Sequence, residues 1–329
     1  MRRTLILGGT AWLGQEIAKH AIAQGQEVTC LARGESGIPP AGATLLRVDR
    51  RAPDAYSEVK DLDWDEVIEL SYQPEFVTGA LENLAERTKH WTLVSSVSVY
   101  ANNQEPRATE EAELVVPTDL GNYAHAKVAA EQASAEALGE RLLIARPGLI
   151  VGPGDTSDRF SYWVSRFALA HDEAVLAPDA SARVVQFIDV RNIASWIVDA
   201  GVRQLTGSFN VVGSEHAFAA VLKSASEVAN FSGELVTADD EWLLAQGVAY
   251  WAGPRSLPLW LPRGDEPFAQ RSASAYFAAG GTERPLRETL EDVLHDERFR
   301  GLDRQRRSGL SRTEEVHLLH QFRDLSRRR

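Results

Sequence analysis

The chain has 329 residues, 44% hydrophobic and 25% charged, with a formal net charge of -12; this balance suits a soluble globular protein of one large or two smaller domains and argues against nucleic acid or an anionic membrane as its main partner. No apolar run reaches the ~18 residues of a membrane span, and Met1-Arg2-Arg3-Thr4 passes into a strand-like segment without a signal-peptide layout, so a cytoplasmic location is expected. The single cysteine, Cys30, excludes an intrachain disulfide and a cysteine-based zinc cluster, no His/Asp/Glu cluster has metal-ligand spacing, and redox chemistry is left to an organic cofactor.

Leu5-Ile-Leu7 is an apolar strand that runs into Gly8-Gly-Thr-Ala-Trp-Leu-Gly14 and then into a helix with Ile17, Ala18, Ala21 and Ile22 on one face and Gly25 as its cap. In a strand, glycine turn and helix, the backbone can approach a pyrophosphate whose charge faces the helix N-terminus. Gly8, Thr10, Ala11, Trp12, Leu13 and Gly14 are therefore candidate cofactor-binding residues, with alanine at position 11 where such turns often have a middle glycine. A second strand, Glu27 to Ala32, ends in Ala32-Arg33-Gly34. An NAD site usually has a carboxylate there for the ribose 2′-hydroxyl; its loss removes repulsion toward a 2′-phosphate, which the Arg33 guanidinium can bind. NADP(H) is accordingly expected ahead of NAD(H).

Thr44 to Val48 forms a third strand ending at Asp49-Arg50-Arg51, followed by a loop and helix to about Leu62. Val67 to Leu70 is a fourth strand, Phe76 to Arg87 an amphipathic helix, and Trp91 to Val94 a fifth strand closing at Ser95-Ser96-Val97-Ser98-Val99-Tyr100. This alternation implies an α/β fold with a parallel, doubly wound sheet and ligands at the carboxyl ends of its strands, where the serines stand. A polar loop from Ala101 to Asn122 leads to Tyr123-Ala-His-Ala-Lys127, which opens a run of helix formers to Leu138 capped by Gly139. Four positions apart, the phenol and the ammonium share a helix face. A free tyrosine titrates near ~10, and a fixed positive charge beside it favours the phenolate, which makes the pair a candidate general acid/base. His125 is turned away from that face and is expected in solvent.

Arg141 to Val151 is a sixth strand, broken at Arg146-Pro-Gly148 and ending in Gly152-Pro-Gly154. Phe160 to Ala170 reads as a helix leaving the sheet; Val184 to Ile188 and the helix Ile193 to Ala200 are expected to return to it, and Ser208 to Val212 to be its last strand. Beyond Gly213 the alternation stops, leaving helices at Phe218 to Phe231, Glu241 to Leu244, Leu286 to Leu294 and Glu314 to Leu325 around a Pro- and Trp-rich stretch, Trp251 to Pro262. Trp242, Trp251 and Trp260 read as core aromatics ahead of a substrate-pocket wall, and the Arg-rich end, Arg327-Arg328-Arg329, as a solvated tail.

With the glycine turn, Ser96, Tyr123 and Lys127 in this order, the chain resembles the short-chain dehydrogenase/reductase superfamily, in its extended, NAD-dependent epimerase/dehydratase branch. Arg146-Pro-Gly148, Gly152-Pro-Gly154 and Phe187-Ile-Asp-Val190 carry the resemblance over nearly the whole chain. The expected organisation is a Rossmann domain from 1–152 and 184–213, with a smaller, mostly helical C-terminal substrate part from 153–183 and 214–329. The resemblance implies NAD(P)(H), hydride transfer at C4 of the nicotinamide, and a small-molecule substrate. It also implies a Ser-Tyr-Lys site, in which Ser96 bonds the reacting oxygen, Tyr123 is the acid/base, and Lys127 bonds the nicotinamide ribose and lowers the tyrosine pKa. Asp49 matches the residue that contacts the adenine ring, Arg33 would hold the 2′-phosphate, and Arg50 and Pro147 complete the cofactor-binding set. Pairing of two copies through the helix carrying Tyr123 follows by the same analogy.

Family members acting on nucleotide sugars usually carry an arginine just before the Phe/Tyr-Ile-His-Val strand and an asparagine after the sixth strand. Val185 and Leu149 stand in those places, Arg183 lies two residues earlier, and Pro74 replaces a loop lysine that some epimerases use. The leading expectation is an NADP-dependent oxidoreductase of the carbonyl reductase/alcohol dehydrogenase type acting on a small organic or sugar-like molecule. The alternatives are a nucleotide-sugar epimerase/dehydratase with retained NAD, and a non-catalytic nucleotide- or RNA-binding member. The last is raised by the Gly-Gly-Thr-x-x-Leu-Gly start, which also resembles chloroplast stem-loop RNA-binding proteins.

Overall fold

A computed structural model describes residues 1–326, so the terminal arginines Arg327-Arg328-Arg329 lie outside the described residues. The chain divides into two units, one formed by Met1–Ile150, Val190–Gly213 and Arg271–Glu283, the other by Val151–Asp189, Ser214–Gln270 and the chain from Arg284 onward.

The first unit is built on seven parallel strands: β1 (Arg3–Leu7), β2 (Glu27–Ala32), β3 (Ala43–Arg47), β4 (Glu66–Glu69), β5 (Trp91–Val94), β6 (Leu142–Pro147) and Gly207–Val211. Their order is Gly207–Val211, β6, β5, β4, β1, β2, β3. Every residue of β4, β5 and β6 is buried, as parallel strands covered on both faces require. Helices α1 (Trp12–Ala23), α2 (Pro74–Leu84), α3 (Tyr123–Leu138) and Val190–Arg203 alternate with the strands. Leu5, Leu7, Val67, Trp91, Leu93 and Ile144 of the sheet meet Val77 and Leu81 of α2 and Ala130 and Leu138 of α3 in one core. Strand order reverses between β1 and β4, and that reversal opens a crevice at the carboxyl ends of the strands.

Four local expectations are corrected. No helix forms between Asp49 and Leu62; turns replace it, because Pro53 lacks a donor and buried Tyr56, Val59 and Trp64 pin the segment down, with Trp64 Nε1 donating to Val59 O at 3.1 Å. Val184–Asp189 does not return to the large sheet but pairs antiparallel with Glu215–Ala217 in the second unit. Strands also persist beyond Gly213: Leu235–Ala238 joins Val175–Pro178, and Ala249–Trp251 joins Ser256–Pro258. Runs of three or four residues are too short for a period-two pattern to stand out. His125 is half-buried and accepts the Asp119 N–H at 3.1 Å. The second unit is otherwise helical, with Ser161–Ala170, Phe218–Val228 and Leu286–Arg300 packed on one another. Among the described residues, no helix is long and apolar enough to cross a membrane.

Near the amino ends of β4 and β5, buried His90 has Nδ1 2.7 Å from Glu66 Oε2 and Nε2 2.7 Å from Leu205 O. Two acceptors facing the two ring nitrogens are satisfied together only by the imidazolium. Burial alone would lower the His90 pKa, but the hydrogen bond and charge of Glu66 outweigh it and the net direction is upward. A folded pKa above the unfolded one adds stability that is full below about pH 6.5 and lost as pH rises through the folded value. Urea midpoints are expected to fall over that alkaline range, and to do so less in His90→Gln; identical slopes for parent and variant would assign the linkage elsewhere.

Candidate functional site

β1 delivers the chain to Gly8, whose φ of +99° lies in the left-handed region that glycine occupies without strain. α1 then starts at Trp12, with Ala11 as an extended N-cap, no capping side-chain hydrogen bond and no acidic residue in its first turn. Neither the N-cap residue nor an acidic side chain of the first turn serves the positive end of the helix, a setting that favours a bound anion. Turn and helix touch: a Cβ on Gly14 would sit 2.6 Å from Gly8 O and 2.8 Å from Gly9 Cα. Cys30 packs against Gly9, and burial pushes its thiol up to about 12, so this cysteine is inert filling.

Beside the turn lies a cavity of about 280 Å³, walled by Gly8, Thr10 and Ala11, by Ala32 to Ser36 after β2, by Val48 to Arg50 after β3, and by Leu70, Ser71, Gln73 and Phe76 after β4. It brings together the glycine turn, Arg33, Asp49 and Arg50. Trp12, Leu13 and Gly14 open α1, while Pro147 closes β6 opposite Val211. Arg33 is half-exposed and paired with Glu35 at 3.0 Å. Asp49 accepts the Arg51 N–H at 3.0 Å. Arg50, expected from the sequence as a cofactor ligand, lines the cavity and is also tied into its wall. Its Nη1 and Nη2 donate to the two Glu69 oxygens at 2.8 and 2.5 Å and its Nε to Tyr56 Oη at 2.9 Å, so its cation is committed to the wall.

Asn122 caps α3 by accepting the Ala124 N–H at 2.9 Å, and Gly139 at φ +53° ends it, so Tyr123 and Lys127 stand one turn apart as their spacing requires. Lys127 is buried and donates through Nζ to Val94 O at 2.5 Å. That bond ties α3 to the end of β5, two residues before Ser96. The ammonium lies 5.9 Å from the Tyr123 ring centroid and 5.4 Å from that of Tyr72, and the two rings meet edge to face at 5.0 Å. Burial lowers the Lys127 pKa to about 8, while Glu69 and Glu131 act in the opposite direction. Ser96 Oγ donates to Ser98 Oγ at 3.1 Å and accepts the Ser98 N–H at 3.1 Å, and α3 packs against this Val97–Val99 turn. A phenol, a hydroxyl and a lysine cation are thus supplied by adjoining elements, a set able to exchange a proton with an alcohol or carbonyl oxygen.

Two residues of this region escaped the sequence reading. Tyr72 follows the carboxyl end of β4, beside the strand-order reversal, and that position was the available signal. Glu69, fully buried in β4, gave none, because its partner Arg50 lies after β3, three places away in the sheet.

The model of the NAD dependent epimerase/dehydratase family matches residues 4–211. No curated protein matches the chain. Among solved structures, a protein from Burkholderia cenocepacia J2315 is 22% identical, with a TM-score of 0.69 over 91% of this chain and 98% of that one. The UDP-glucose 4-epimerase of Thermus thermophilus, in complex with NAD, is 18% identical, with a TM-score of 0.63 over 90% and 99%. RMD from Pseudomonas aeruginosa, complexed with NADPH, is 18% identical, with a TM-score of 0.62 over 90% and 99%. At these identities the likeness is one of fold.

Proposed function

This chain belongs to the NAD dependent epimerase/dehydratase family, and we propose that it is a nicotinamide-dinucleotide oxidoreductase acting at the alcohol or carbonyl carbon of a small, sugar-like molecule. The observation that carries this reading is the buried Lys127 ammonium beside the Tyr123 ring. The turn suits a dinucleotide, since Gly8 and Gly14 leave no side chain in the way and the N-cap residue of α1, Ala11, brings no capping side chain. Gly8, Thr10, Ala11, Trp12, Leu13 and Gly14 would hold the pyrophosphate, Asp49 the adenine end, and Arg33 a 2′-phosphate. When bound, the dinucleotide supplies the hydride donor or acceptor. Tyr123 exchanges the proton with the substrate oxygen, Ser96 steadies that oxygen by a hydrogen bond, and Lys127 keeps positive charge beside the phenol.

The Ala32-Arg33 end of β2 favours NADP(H). Arg33→Ala is expected to weaken NADPH by roughly ten- to a hundredfold, the value of one charge-assisted contact, and NADH far less. Calorimetric titration reads both, and equal affinities of the parent for the two dinucleotides would remove this preference.

A second reading has its own support. Glu35, paired with Arg33 and on the same cavity wall, brings a carboxylate that favours a 2′-hydroxyl over a 2′-phosphate. That suits an epimerase or dehydratase retaining NAD through its cycle. One experiment separates the two: the purified protein is assayed for bound dinucleotide, then for NADPH consumption with ketones, aldehydes and nucleotide sugars. Net consumption supports the first reading, and tightly held NAD(H) with no consumption supports the second. Absence of any dinucleotide binding would defeat both.

A further inference from the structure

The second unit contains a cavity of about 380 Å³ for which the dinucleotide reading has no use. Five arginines stand on its wall, Arg166, Arg255, Arg304, Arg306 and Arg312, against two acidic residues, Asp303 and Glu314. Three buried carboxylates neutralise much of this charge: Asp158 and Glu297 pair with Arg304, Glu297 with Arg306 at 2.7 Å, and Glu315 with Arg312 at 2.5 Å. Charge is therefore close to balanced, but hydrogen bonding is not, since each guanidinium carries five N–H groups. Nε and Nη1 of Arg166 and Nε of Arg304 are buried without a hydrogen-bond acceptor. Arg166, only 4% exposed, donates from Nη2 to Leu310 O, while its Nη1 lies 3.3 Å from Glu315 Oε2 without the alignment of a hydrogen bond.

These three orphaned atoms are donors, and Tyr162 Oη, whose ring centroid lies 5.2 Å from the Arg166 guanidinium, is buried without a partner as well. Arg166 and Arg304 both border the cavity, and donors left unmet in a buried guanidinium call for an acceptor. The backbone points the same way: Arg255, on the wall, and Asp158, behind it, hold φ of +52° and +62°, left-handed conformations that cost a non-glycine residue energy and tend to be kept where a ligand is gripped. Arg306 is crowded as well, since burial and the neighbouring Arg304 lower its pKa against the pull of Glu297. An incoming oxyanion relieves both the crowding and the unmet donors, and bidentate guanidinium contacts suit phosphate and carboxylate groups alike.

We propose that this cavity binds a small polyanion bearing phosphate or carboxylate groups, with Arg166 as its buried anchor and Arg255 at its half-exposed edge. The full-length protein is titrated calorimetrically with pyrophosphate, inorganic phosphate and citrate, with sodium chloride at matched ionic strength as the control. A single site is expected for pyrophosphate, citrate or both, with no comparable signal from chloride; which of the two binds more tightly decides between a phosphorylated and a carboxylated ligand. Because a pyrophosphate could also reach the glycine turn, the variants locate the site. Arg255→Ala is expected to weaken binding roughly tenfold, and Arg166→Lys, which keeps the charge but loses the fork, by more. Should Arg166→Lys fail to fold, Arg255→Ala carries the comparison alone. Anion binding no stronger than the chloride control, or unchanged affinity in Arg255→Ala, would overturn the proposal and leave the orphaned donors to water.

Discussion

Replacing Tyr123 with phenylalanine is expected to lower turnover by about 10²–10⁴-fold, the usual contribution of a positioned acid/base, while dinucleotide affinity and thermal stability stay near those of the parent. The substitution removes the phenol oxygen and keeps the ring. The Tyr123 side chain is 45% exposed, so no cavity opens, and its ring keeps the edge-to-face contact with Tyr72 and its place beside the Lys127 ammonium. Lys127 keeps its bond to Val94 O, which does not involve the phenol. The loss should therefore fall on kcat, with the cofactor dissociation constant unmoved. A pH profile adds an independent reading. With burial bringing the Lys127 pKa to about 8, the cation beside the phenol is lost as pH rises through that value, and the parent's rate should fall on that limb. Turnover in Tyr123→Phe equal to the parent's would remove the phenol from the chemistry.

What the sequence made legible was whatever is encoded locally. The glycine turn, the helix from Tyr123 to Leu138 with its Gly139 cap, and the strands Glu27–Ala32 and Trp91–Val94 fall where their residues placed them, because strand period, helix spacing and caps are decided by neighbours in the chain. What stayed hidden is non-local. The pairing of Arg50 with Glu69 went unread, because nothing within the segment Asp49-Arg50-Arg51 announces a carboxylate on another strand. Tyr72 was passed over for a related reason, since its importance comes from the Tyr123 ring that α3 brings to it across the fold. Val184–Asp189 has the composition of a sheet strand, and composition does not say which sheet.

The Arg50–Glu69 pair itself yields the largest expected change in stability. Glu69→Ala leaves a guanidinium whose side chain is only 7% exposed without its counter-ion, and removing one partner of such a pair costs about 3–5 kcal/mol. Burial alone would lower the Arg50 pKa, and the charge and hydrogen bonds of Glu69 reverse that direction; without the carboxylate the guanidinium keeps its proton and is left as a buried, unpaired charge. The Ser71 N–H, held by Glu69 Oε1 at 2.8 Å, loses its acceptor in the same substitution. Since Arg50, Ser71 and Phe76 wall the same cavity, dinucleotide affinity is expected to fall with stability, which distinguishes this variant from Tyr123→Phe. The double variant Arg50→Leu/Glu69→Leu gives the sharper test. It buries no unpaired charge, and buried ion pairs are often replaced by apolar groups at little cost, so it should be more stable than Glu69→Ala despite carrying one change more. Urea unfolding of the two proteins decides the matter: a double variant less stable than Glu69→Ala would mean that the ion pair holds the cleft together by its own attraction, and that the penalty of an orphaned arginine is the lesser term.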